Sequence, residues 1–333
     1  MSSVGPQPTN MAEPFGLPGV EAHRERVERA LGVAVAADDP FLTEVAGHLI
    51  AAGGKRLRPA LVLASATALD ADVTDDVVQG AVSVELVHLG SLYHDDVMDE
   101  AESRRGVESV NRRWGNLVAI LAGDFLLAKA SEIAAALGTE VAALLARTIG
   151  KLCDGEVSQL HYAFDTERTE AAYFRAVRGK TASLFATSAR VGGLVTGAEA
   201  DEVEALTGYG TAFGVAFQIW DDVCDLVAAE SQLGKPAGHD LVEGTYTLPV
   251  IRALALPGVA AELRGLLGGP LDEVSRDKAR DLIRSTEAVD SAIAEARIWA
   301  DRAADALTPL GNGAAVTALA EAGHRLIDSL DAA

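Results

Sequence analysis

The stretch VQGAVSVELVHLGSLYHDDVMD at residues 78–99 combines the two features that decide the fold of this chain. Its apolar residues recur every three or four positions, which predicts a helix with one continuous buried stripe. The stripe consists of Val78, Val82, Leu86, Leu89 and Tyr93. It leads directly into the acidic pattern DDxxD at Asp95, Asp96 and Asp99, so the predicted helix carries clustered carboxylates where it leaves an apolar core.

The DDxxD pattern occurs a second time, as Asp221-Asp222-Val223-Cys224-Asp225, after the apolar stretch at 209–220. Helical positions i and i+4 lie about 40° apart, so each copy projects carboxylates from one face. Like charges this close destabilise a bare helix, and hard divalent cations shared with substrate phosphates would hold them together. One copy in a chain with 49 acidic residues is most often a solvated face, whereas two copies that each follow an apolar stretch favour a metal site.

The composition narrows the class of protein and its partners. Hydrophobic residues make up 49% of the 333 residues and aromatic residues only 5%, which indicates a large core of Ala, Leu and Val. The net charge of −21 argues against nucleic acid or an anionic membrane surface as a primary partner. No stretch is long enough for stable insertion in a membrane. The two cysteines, Cys153 and Cys224, fit a reducing compartment, so we expect a cytoplasmic protein.

Helical periodicity extends over almost the whole chain, and alternating strand patterns are nearly absent. Besides the helix described above, helices are predicted at 19–36, 40–52, 57–69, 116–137, 139–163, 171–195, 201–229, 272–286, 288–307 and 313–330. We therefore predict an all-α bundle of ten or more helices. Residues 1–18, rich in Pro, Gly, Ser and Asn, are expected to form a disordered leader. Residues 19–333 are expected to form a single catalytic domain, because the two acidic motifs make chemical sense only at a common site.

Basic residues occur at breaks in the helical pattern. The cationic residues that accompany the acidic motifs are Lys55, Arg58, Arg104, Arg105, Lys180 and Lys235. Lys55 and Arg58 lie at a predicted helix start, where free N–H groups also attract anions. Lys235 lies in the Gly/Pro-rich loop 231–240, which we expect to act as a lid. Each cluster alone would be a solvated basic turn, but together they could balance two diphosphates beside metal-bound carboxylates.

These residues resemble the trans-isoprenyl diphosphate synthases, or polyprenyl synthetases, over roughly residues 20–330. The matching stretches are GGKRLRP at 53–59, ELVHLGSLYHDDVMDEAESRRG at 85–106, GDFLLAKA at 123–130, GEVSQL at 155–160, GKTASLF at 179–185, FQIWDDVCDL at 217–226 and GKPAGHDLVEGTYTLPV at 234–250. Their order and separations follow the family. The resemblance implies a single-domain isoprenoid-synthase-type helical bundle with a central active-site cavity, and a homodimer.

The resemblance also implies the reaction. An allylic diphosphate held by three Mg²⁺ ions ionises, isopentenyl diphosphate attacks the cation, and a proton is lost. The implied metal ligands are Asp95, Asp96, Asp99, Asp221, Asp222 and Asp225. Isopentenyl diphosphate would bind Lys55, Arg58, His88 and Arg105, and the allylic diphosphate Arg104, Lys180 and Lys235, with Thr181 and Gln218 near the ionising carbon. The catalytic set would be Asp95, Asp96, Asp99, Lys180, Thr181, Gln218, Asp221 and Asp222.

Three positions carry a competing interpretation. A lone histidine on an apolar helix is usually a satisfied core residue, but His88 lies two turns before Asp95 on the same face, which favours a ligand. Glu156 matches the family pattern, yet it could be a buried polar group with only a structural hydrogen bond, so it is not assigned to the catalytic set. Many members have lysine where this chain has Thr245, a difference that bears on one diphosphate contact and not on the activity.

The resemblance further implies that the product grows along the helix leading into Asp95. Short-chain members carry bulky aromatic residues four or five positions before that aspartate, whereas this chain has small residues there. The residues assigned to chain length are Gly90, Ser91, Val87, Ala128 and Ser131, the last two on a predicted facing helix. Small residues on both helices favour a product longer than twenty carbons, although they would equally allow a tight helix crossing.

Other functions stay open at this stage. A farnesyl or geranylgeranyl diphosphate synthase, which makes short or medium chains, would use the same residues. A terpene cyclase on the same fold needs no isopentenyl diphosphate site, and Lys55, Arg58 and Arg105 argue against it. A regulatory subunit of a two-component synthase would lose acidic residues, and all six are present. A structural metal-binding protein would leave the basic residues unexplained.

Overall fold

The structure is a computed structural model, and it describes residues 15–227 and 237–330. The helices are α1 (Pro18–Ala34), α2 (Pro40–Ala51), α3 (Leu57–Ala68), α4 (Asp75–Met98), α5 (Val110–Trp114), α6 (Asn116–Leu137), α7 (Thr139–His161), α8 (Glu170–Val177), α9 (Ser183–Val195), α10 (Ala200–Val227), α11 (His239–Val242), α12 (Leu248–Leu254), α13 (Ala260–Leu266), α14 (Glu273–Arg284), α15 (Ala288–Ala306) and α16 (Ala314–Asp328). The strands of the described part are β1 (Ser103–Arg104) and β2 (Val107–Glu108), which pair as an antiparallel hairpin. The predicted all-α fold is confirmed.

Helix starts follow local capping chemistry. Thr74 caps α4, because its hydroxyl accepts a hydrogen bond from the backbone N–H of Val77. Asp39 caps α2 in the same way through the N–H of Phe41, and Pro40 occupies the first turn, where its missing N–H is not needed. The predicted helix at 171–195 consists of α8, a π-helical turn at Arg178–Ala182, and α9.

The chain divides into two compact units. Unit 1 contains the residues up to Ile149, Leu184–Thr207 and Leu307–Leu319, and unit 2 contains Gly150–Ser183, Gly208–Ala306 and the residues from Ala320 onward. In unit 1, α4 packs against α1, α3 and α6. Its positions 80–87 are buried all round, so this segment forms the core of the unit. In unit 2, α12 packs against α8, α13, α14 and α15.

The contact between α4 and α6 bears on part of the chain-length prediction, which stays a prediction. At Gly90 an added Cβ would lie 3.1 Å from the carbonyl oxygen of Gly123, so the two backbones approach closely. The small residue at Gly90 therefore permits a tight helix crossing, which was the competing interpretation. Ala128 and Ser131 are exposed, whereas the buried positions of α6 include Ala122, Gly123, Leu126 and Ala130. Ala128 and Ser131 therefore do not lie on the buried face of α6.

Some of the predictions concern residues that the structure does not describe. Residues 1–14 of the predicted leader, Lys235 and positions 231–236 of the predicted lid lie outside the described residues. Phe15, within the predicted leader, is buried, and α1 begins at Pro18. The single catalytic domain over 19–333 stays a prediction. Within the described ranges, no helix has the length and apolar character needed to span a membrane.

Candidate active site

The first acidic motif occupies the last turn of α4. Asp96 is fully buried, and its Oδ1 accepts hydrogen bonds from Arg104 Nε and Nη2, both at 2.7 Å. Asp96 Oδ2 is also buried and has no hydrogen-bond partner. Burial raises the pKa of Asp96, and the charge of Arg104 opposes that shift. Asp99 follows the helix as its C-cap, where its N–H donates to the Asp95 carbonyl oxygen at 2.8 Å.

The hairpin after α4 positions two arginines. β1 and β2 are joined by Arg105 and Gly106, both with positive φ, the geometry that favours a tight two-residue turn. The side chain of Arg104 donates to Asp96. Arg105 instead donates to the carbonyl oxygens of Leu49 (3.0 Å) and Gly53 at the end of α2. The neighbouring guanidinium groups of Arg104 and Arg105 therefore have different hydrogen-bond partners.

His88 lies in a strongly positive environment within unit 1. Its pKa is held well below the ordinary value by burial and then by the charges of Arg58, Arg105 and Arg104. Arg58 Nε is buried without a hydrogen-bond partner, and its guanidinium lies 4.9 Å from the centre of the Phe185 ring. Lys55 is exposed in the loop before α3. Such a cluster is suited to binding an anion.

In unit 2, the π-helical turn positions Lys180. A Cβ added at Gly155 of α7 would lie 2.4 Å from the Lys180 backbone nitrogen, so the turn packs directly on the α7 backbone. The Lys180 ammonium lies 2.6 Å from a carboxylate oxygen of Glu156, also on α7. Glu156 therefore has a specific partner, and its role stays a prediction. π-helical turns of this kind often mark functional sites.

A hydrogen-bond chain links the other unit 2 residues. The Thr181 hydroxyl donates to Gln218 Oε1 at 2.6 Å, and Gln218 Nε2 donates to Asp222 Oδ1 at 2.8 Å. The Tyr173 hydroxyl donates to Asp222 Oδ2 at 2.5 Å. Burial raises the pKa of Asp222 to about 7, although the hydrogen bonds from Tyr173 and Gln218 work in the opposite direction. The structure thus brings Thr181, Gln218 and Asp222 together.

The other carboxylates of the second motif differ in exposure. Asp221 is exposed on α10, while Asp225 is buried. Asp225 Oδ2 accepts a hydrogen bond from the backbone N–H of Asp240 (3.2 Å), and its carbonyl oxygen accepts one from the N–H of Gly238 (2.7 Å). Asp225 therefore fixes the end of α10 to the segment that leads into α11.

The carboxylates fit a hard divalent cation. The buried, unpartnered Oδ2 of Asp96 is an oxygen of the type that such ions bind. Among residues 15–227 and 237–330, no three His, Cys, Asp or Glu side chains form a set that could hold a metal ion by themselves. A Mg²⁺ ion would therefore need further oxygen ligands, which phosphate groups of a substrate can supply.

Comparison with known proteins identifies the family. Residues 39–283 match the family model for polyprenyl synthetase. The chain belongs to this family. This polyprenyl synthetase is 35% identical over 295 residues to heptaprenyl diphosphate synthase component 2 of Bacillus subtilis, covering 88% of this chain and 84% of that protein. It is 41% identical over 256 residues to nonaprenyl diphosphate synthase of Mycobacterium tuberculosis, covering 76% of each chain.

A solved structure agrees over nearly the whole polyprenyl synthetase chain. The polyprenyl synthase of Caulobacter crescentus, crystallised with calcium and isoprenyl diphosphate, aligns with a TM-score of 0.89 and 34% identity. The alignment covers 97% of this chain and 99% of the other. The predicted family and enzyme class are confirmed: the protein is a prenyltransferase of isoprenoid biosynthesis, a trans-polyprenyl diphosphate synthase.

Several polar residues of this polyprenyl synthetase were not singled out from the sequence. Glu85 and Arg56 lie within the cluster around His88, and Tyr173 and Arg168 lie beside Asp222. The signal for Glu85 was its spacing, one turn before His88 on the same helix. Tyr173 precedes Lys180 by two turns, but only the packing of α8 and α10 brings it to Asp222.

Proposed function

We propose that the protein condenses isopentenyl diphosphate with an allylic diphosphate and makes products longer than twenty carbons. The observation that carries this proposal is the guanidinium cluster around His88, in a chain that also carries two acidic motifs. A terpene cyclase has no need of a second anion site. Relatives named for seven-unit and nine-unit products support the long-chain assignment.

The acidic motifs supply the ligands for the divalent ions. Three Mg²⁺ ions would be held by Asp95, Asp96, Asp99, Asp221, Asp222 and Asp225, and such ions stabilise the charge that develops on a departing diphosphate. Asp96 offers its unpartnered oxygen, and Arg104 keeps that side chain in place through the other one. The similar Caulobacter structure, crystallised with calcium, supports a divalent ion in this family.

The basic residues divide between the two substrates. Lys180 would bind the allylic diphosphate, with Glu156 holding its ammonium until substrate arrives. Arg104 and Lys235 complete that proposed site. Thr181 and Gln218 form a fixed pair whose oxygen atoms can stabilise the allylic cation electrostatically.

Isopentenyl diphosphate would bind Lys55, Arg58, His88 and Arg105. His88 is kept neutral by burial and by the neighbouring arginines, so it can donate one hydrogen bond without adding charge. A bound diphosphate would offset the arginine charges and raise the pKa of His88. The departed diphosphate is the proposed base for the final proton loss.

Product length is proposed to depend on the α4 face that carries Val87, Ser91 and Asp95. These positions are spaced by four residues, so Ser91 and Val87 lie one and two turns before the acidic motif. Each turn advances about 5.4 Å, close to one extended isoprene unit. Gly90 contacts α6, and Ala128 and Ser131 are exposed in the single chain, so their part in setting chain length stays a prediction.

A cytoplasmic homodimer is the proposed state of the enzyme. The first half of α6 exposes Leu117, Ile120 and Leu121, of which Leu117 is 72% exposed. Large apolar side chains grouped on one helix face are suited to a second copy of the chain. Analytical ultracentrifugation should give a dimer, and Leu117→Glu combined with Leu121→Glu should give a monomer.

The decisive experiment is a product assay on purified protein with Mg²⁺, isopentenyl diphosphate and farnesyl diphosphate, read by mass spectrometry. A ladder of prenyl diphosphates longer than twenty carbons is expected. A hydrocarbon or alcohol formed without isopentenyl diphosphate would indicate a cyclase instead. No turnover with any allylic primer would indicate a missing partner subunit.

A further inference from the structure

Glu85 is a buried carboxylate at the centre of the arginine cluster in unit 1. It is only 1% exposed, on the part of α4 that forms the core. Its Oε1 accepts a hydrogen bond from Arg56 Nη1 at 2.9 Å and lies 3.7 Å from Arg105 Nη2. Burying a charge is unfavourable unless it is paired, so this carboxylate requires both guanidinium groups.

Both arginines adopt a backbone conformation that L residues rarely occupy. Arg56 has φ of 49° at the N-cap of α3, and Arg105 has φ of 55° in the hairpin turn. The left-handed region places Cβ close to the following carbonyl oxygen, so a side chain there persists only when its surroundings hold it. Glu85 is the carboxylate that contacts both of these side chains.

Further contacts extend the cluster to the loop before α3. Arg56 also donates to Glu28 on α1 (2.7 Å) and to the carbonyl oxygen of Ile50 (3.1 Å). The Arg105 guanidinium lies against Gly54, where an added Cβ would be 2.8 Å from its Cζ. The loop at 53–56 is therefore held from both sides by arginines that share Glu85. This loop carries Lys55 and leads into Arg58.

We infer that Glu85 is a positioning residue for the isopentenyl diphosphate site. It fixes the guanidinium of Arg105 and, through Arg56, the loop that presents Lys55 and Arg58. The inference rests on the proposed function, because those three cations are the proposed ligands of that substrate. Glu85 itself contacts no substrate, since it lies beneath the arginines within the core.

Two possible roles for Glu85 predict opposite changes in diphosphate affinity when its carboxylate is removed. If the carboxylate only balanced charge, its removal would leave more net positive charge near the anion and would tighten diphosphate binding. If it positions the arginines, its removal frees them and weakens binding, because ordering them again on binding costs free energy. Replacing a carboxylate by its amide preserves shape, so Glu85→Gln separates the two roles.

The test is calorimetric titration of the full-length protein with isopentenyl diphosphate, together with steady-state kinetics. Glu85→Gln should weaken isopentenyl diphosphate binding at least tenfold and raise its KM to the same extent. The KM for farnesyl diphosphate should change less than twofold. Glu132→Gln is the control, because it removes a unit 1 carboxylate that pairs with Lys129 on α6. It should change the affinity less than threefold.

A second variant covers the case in which Glu85→Gln does not fold. Glu85→Asp keeps the charge but withdraws the carboxylate from both guanidinium groups. Positioning predicts weaker binding for this variant too, whereas charge balance predicts wild-type affinity. Equal or tighter binding by either folded variant would overturn the inference. If the wild type itself neither binds nor consumes isopentenyl diphosphate, the proposed function fails instead, so the two failures are distinguishable.

Discussion

The two acidic motifs have the same DDxxD pattern, yet their buried aspartates have different partners. Asp96, in α4, accepts both of its hydrogen bonds on one oxygen from the charged Arg104, and its other oxygen has no partner. Asp222, in α10, accepts hydrogen bonds on both oxygens from the neutral groups of Tyr173 and Gln218. A neutral donor compensates burial less well than a guanidinium does.

The difference shows that one sequence pattern can support two electrostatic roles. Asp96 has a charged partner and an oxygen available for a cation. The hydrogen-bond donors to Asp222 are uncharged, and burial raises the pKa of this carboxyl to about 7. We therefore expect Asp96 to act mainly through the metal and Asp222 to respond more strongly to pH.

The largest expected effect comes from replacing the two aspartates in turn. Asp96→Asn should lower kcat by about 10³-fold and Asp222→Asn by about 10²-fold, in the range for removing a group that stabilises transition-state charge. The larger loss is expected at Asp96 because its free oxygen is available to the metal. Steady-state assays over a range of Mg²⁺ concentrations measure both effects. Asp76→Asn, an exposed acid in the first turn of α4, is the control and should match the wild type. Equal losses at both motifs would remove the distinction.

The pH dependence of stability should also separate the motifs. Because the pKa of Asp222 is about 7 in the folded protein and 3.8 ordinarily, the folded protein binds this proton more tightly. The contribution of protonated Asp222 to the stability of the folded protein is complete below about pH 4 and is lost as the pH rises through about 7. The free energy of unfolding in urea should therefore be ~1–3 kcal/mol larger for Asp222→Asn than for the wild type at pH 8. At pH 4 the two proteins should have nearly the same free energy of unfolding.

The same measurement on Asp96→Asn provides the comparison. Burial also raises the pKa of Asp96, but Arg104 opposes the shift, so the difference between pH 4 and pH 8 should be smaller. Both titrations belong in EDTA, so that bound metal does not change the carboxylates. A pH dependence at Asp96 as large as that at Asp222 would contradict this interpretation.

Periodicity predicted the helices well because a continuous apolar stripe permits few other structures. The predicted 40–52 and 57–69 differ from α2 and α3 by one residue at their ends. The face of a helix that meets a given neighbour was harder to predict. Small residues occur on both sides of α6, so the pattern could not show that Gly123 contacts α4 while Ala128 is exposed.

The hydrogen-bond partners of some site residues could not be predicted from the sequence either. Asp95, Asp96 and Arg104 lie close together in the chain, and their grouping could be predicted from local spacing. Tyr173 reaches Asp222 only through tertiary packing, because 48 intervening residues separate the two positions. Positions of this kind carry ordinary residue types, so nothing in a single sequence distinguishes them from other core polar groups.

Removing the Tyr173 hydroxyl should increase the difference in pH response between Asp222 and Asp96. Tyr173→Phe deletes one of the two donors to Asp222, so the pKa of that carboxyl should rise and the acid limb of the kcat–pH profile should move to higher pH. A roughly tenfold loss of kcat at pH 7 is expected, within the usual range for positioned polar groups. Tyr93→Phe is the matched control, since Tyr93 donates to the Val45 carbonyl oxygen at 2.7 Å. It should cost about 1 kcal/mol of stability and leave the pH profile unchanged.

The two motifs also differ in the size of the side chain one turn before them. Ser91 occupies that position before Asp95, whereas the bulky Phe217 occupies it before Asp221 and packs against Trp220, with ring centres 5.7 Å apart. The residue one turn before the motif is therefore small on α4 and bulky on α10. Ser91→Phe should shorten the main product while the rate of the first condensation stays within about threefold, because the ring blocks elongation and not ionisation. Val274→Phe, at an exposed position of α14, introduces the same ring and should leave the product unchanged. Mass spectrometry of the products decides the matter, since an unaltered length distribution in Ser91→Phe would mean that the chain does not grow along this face.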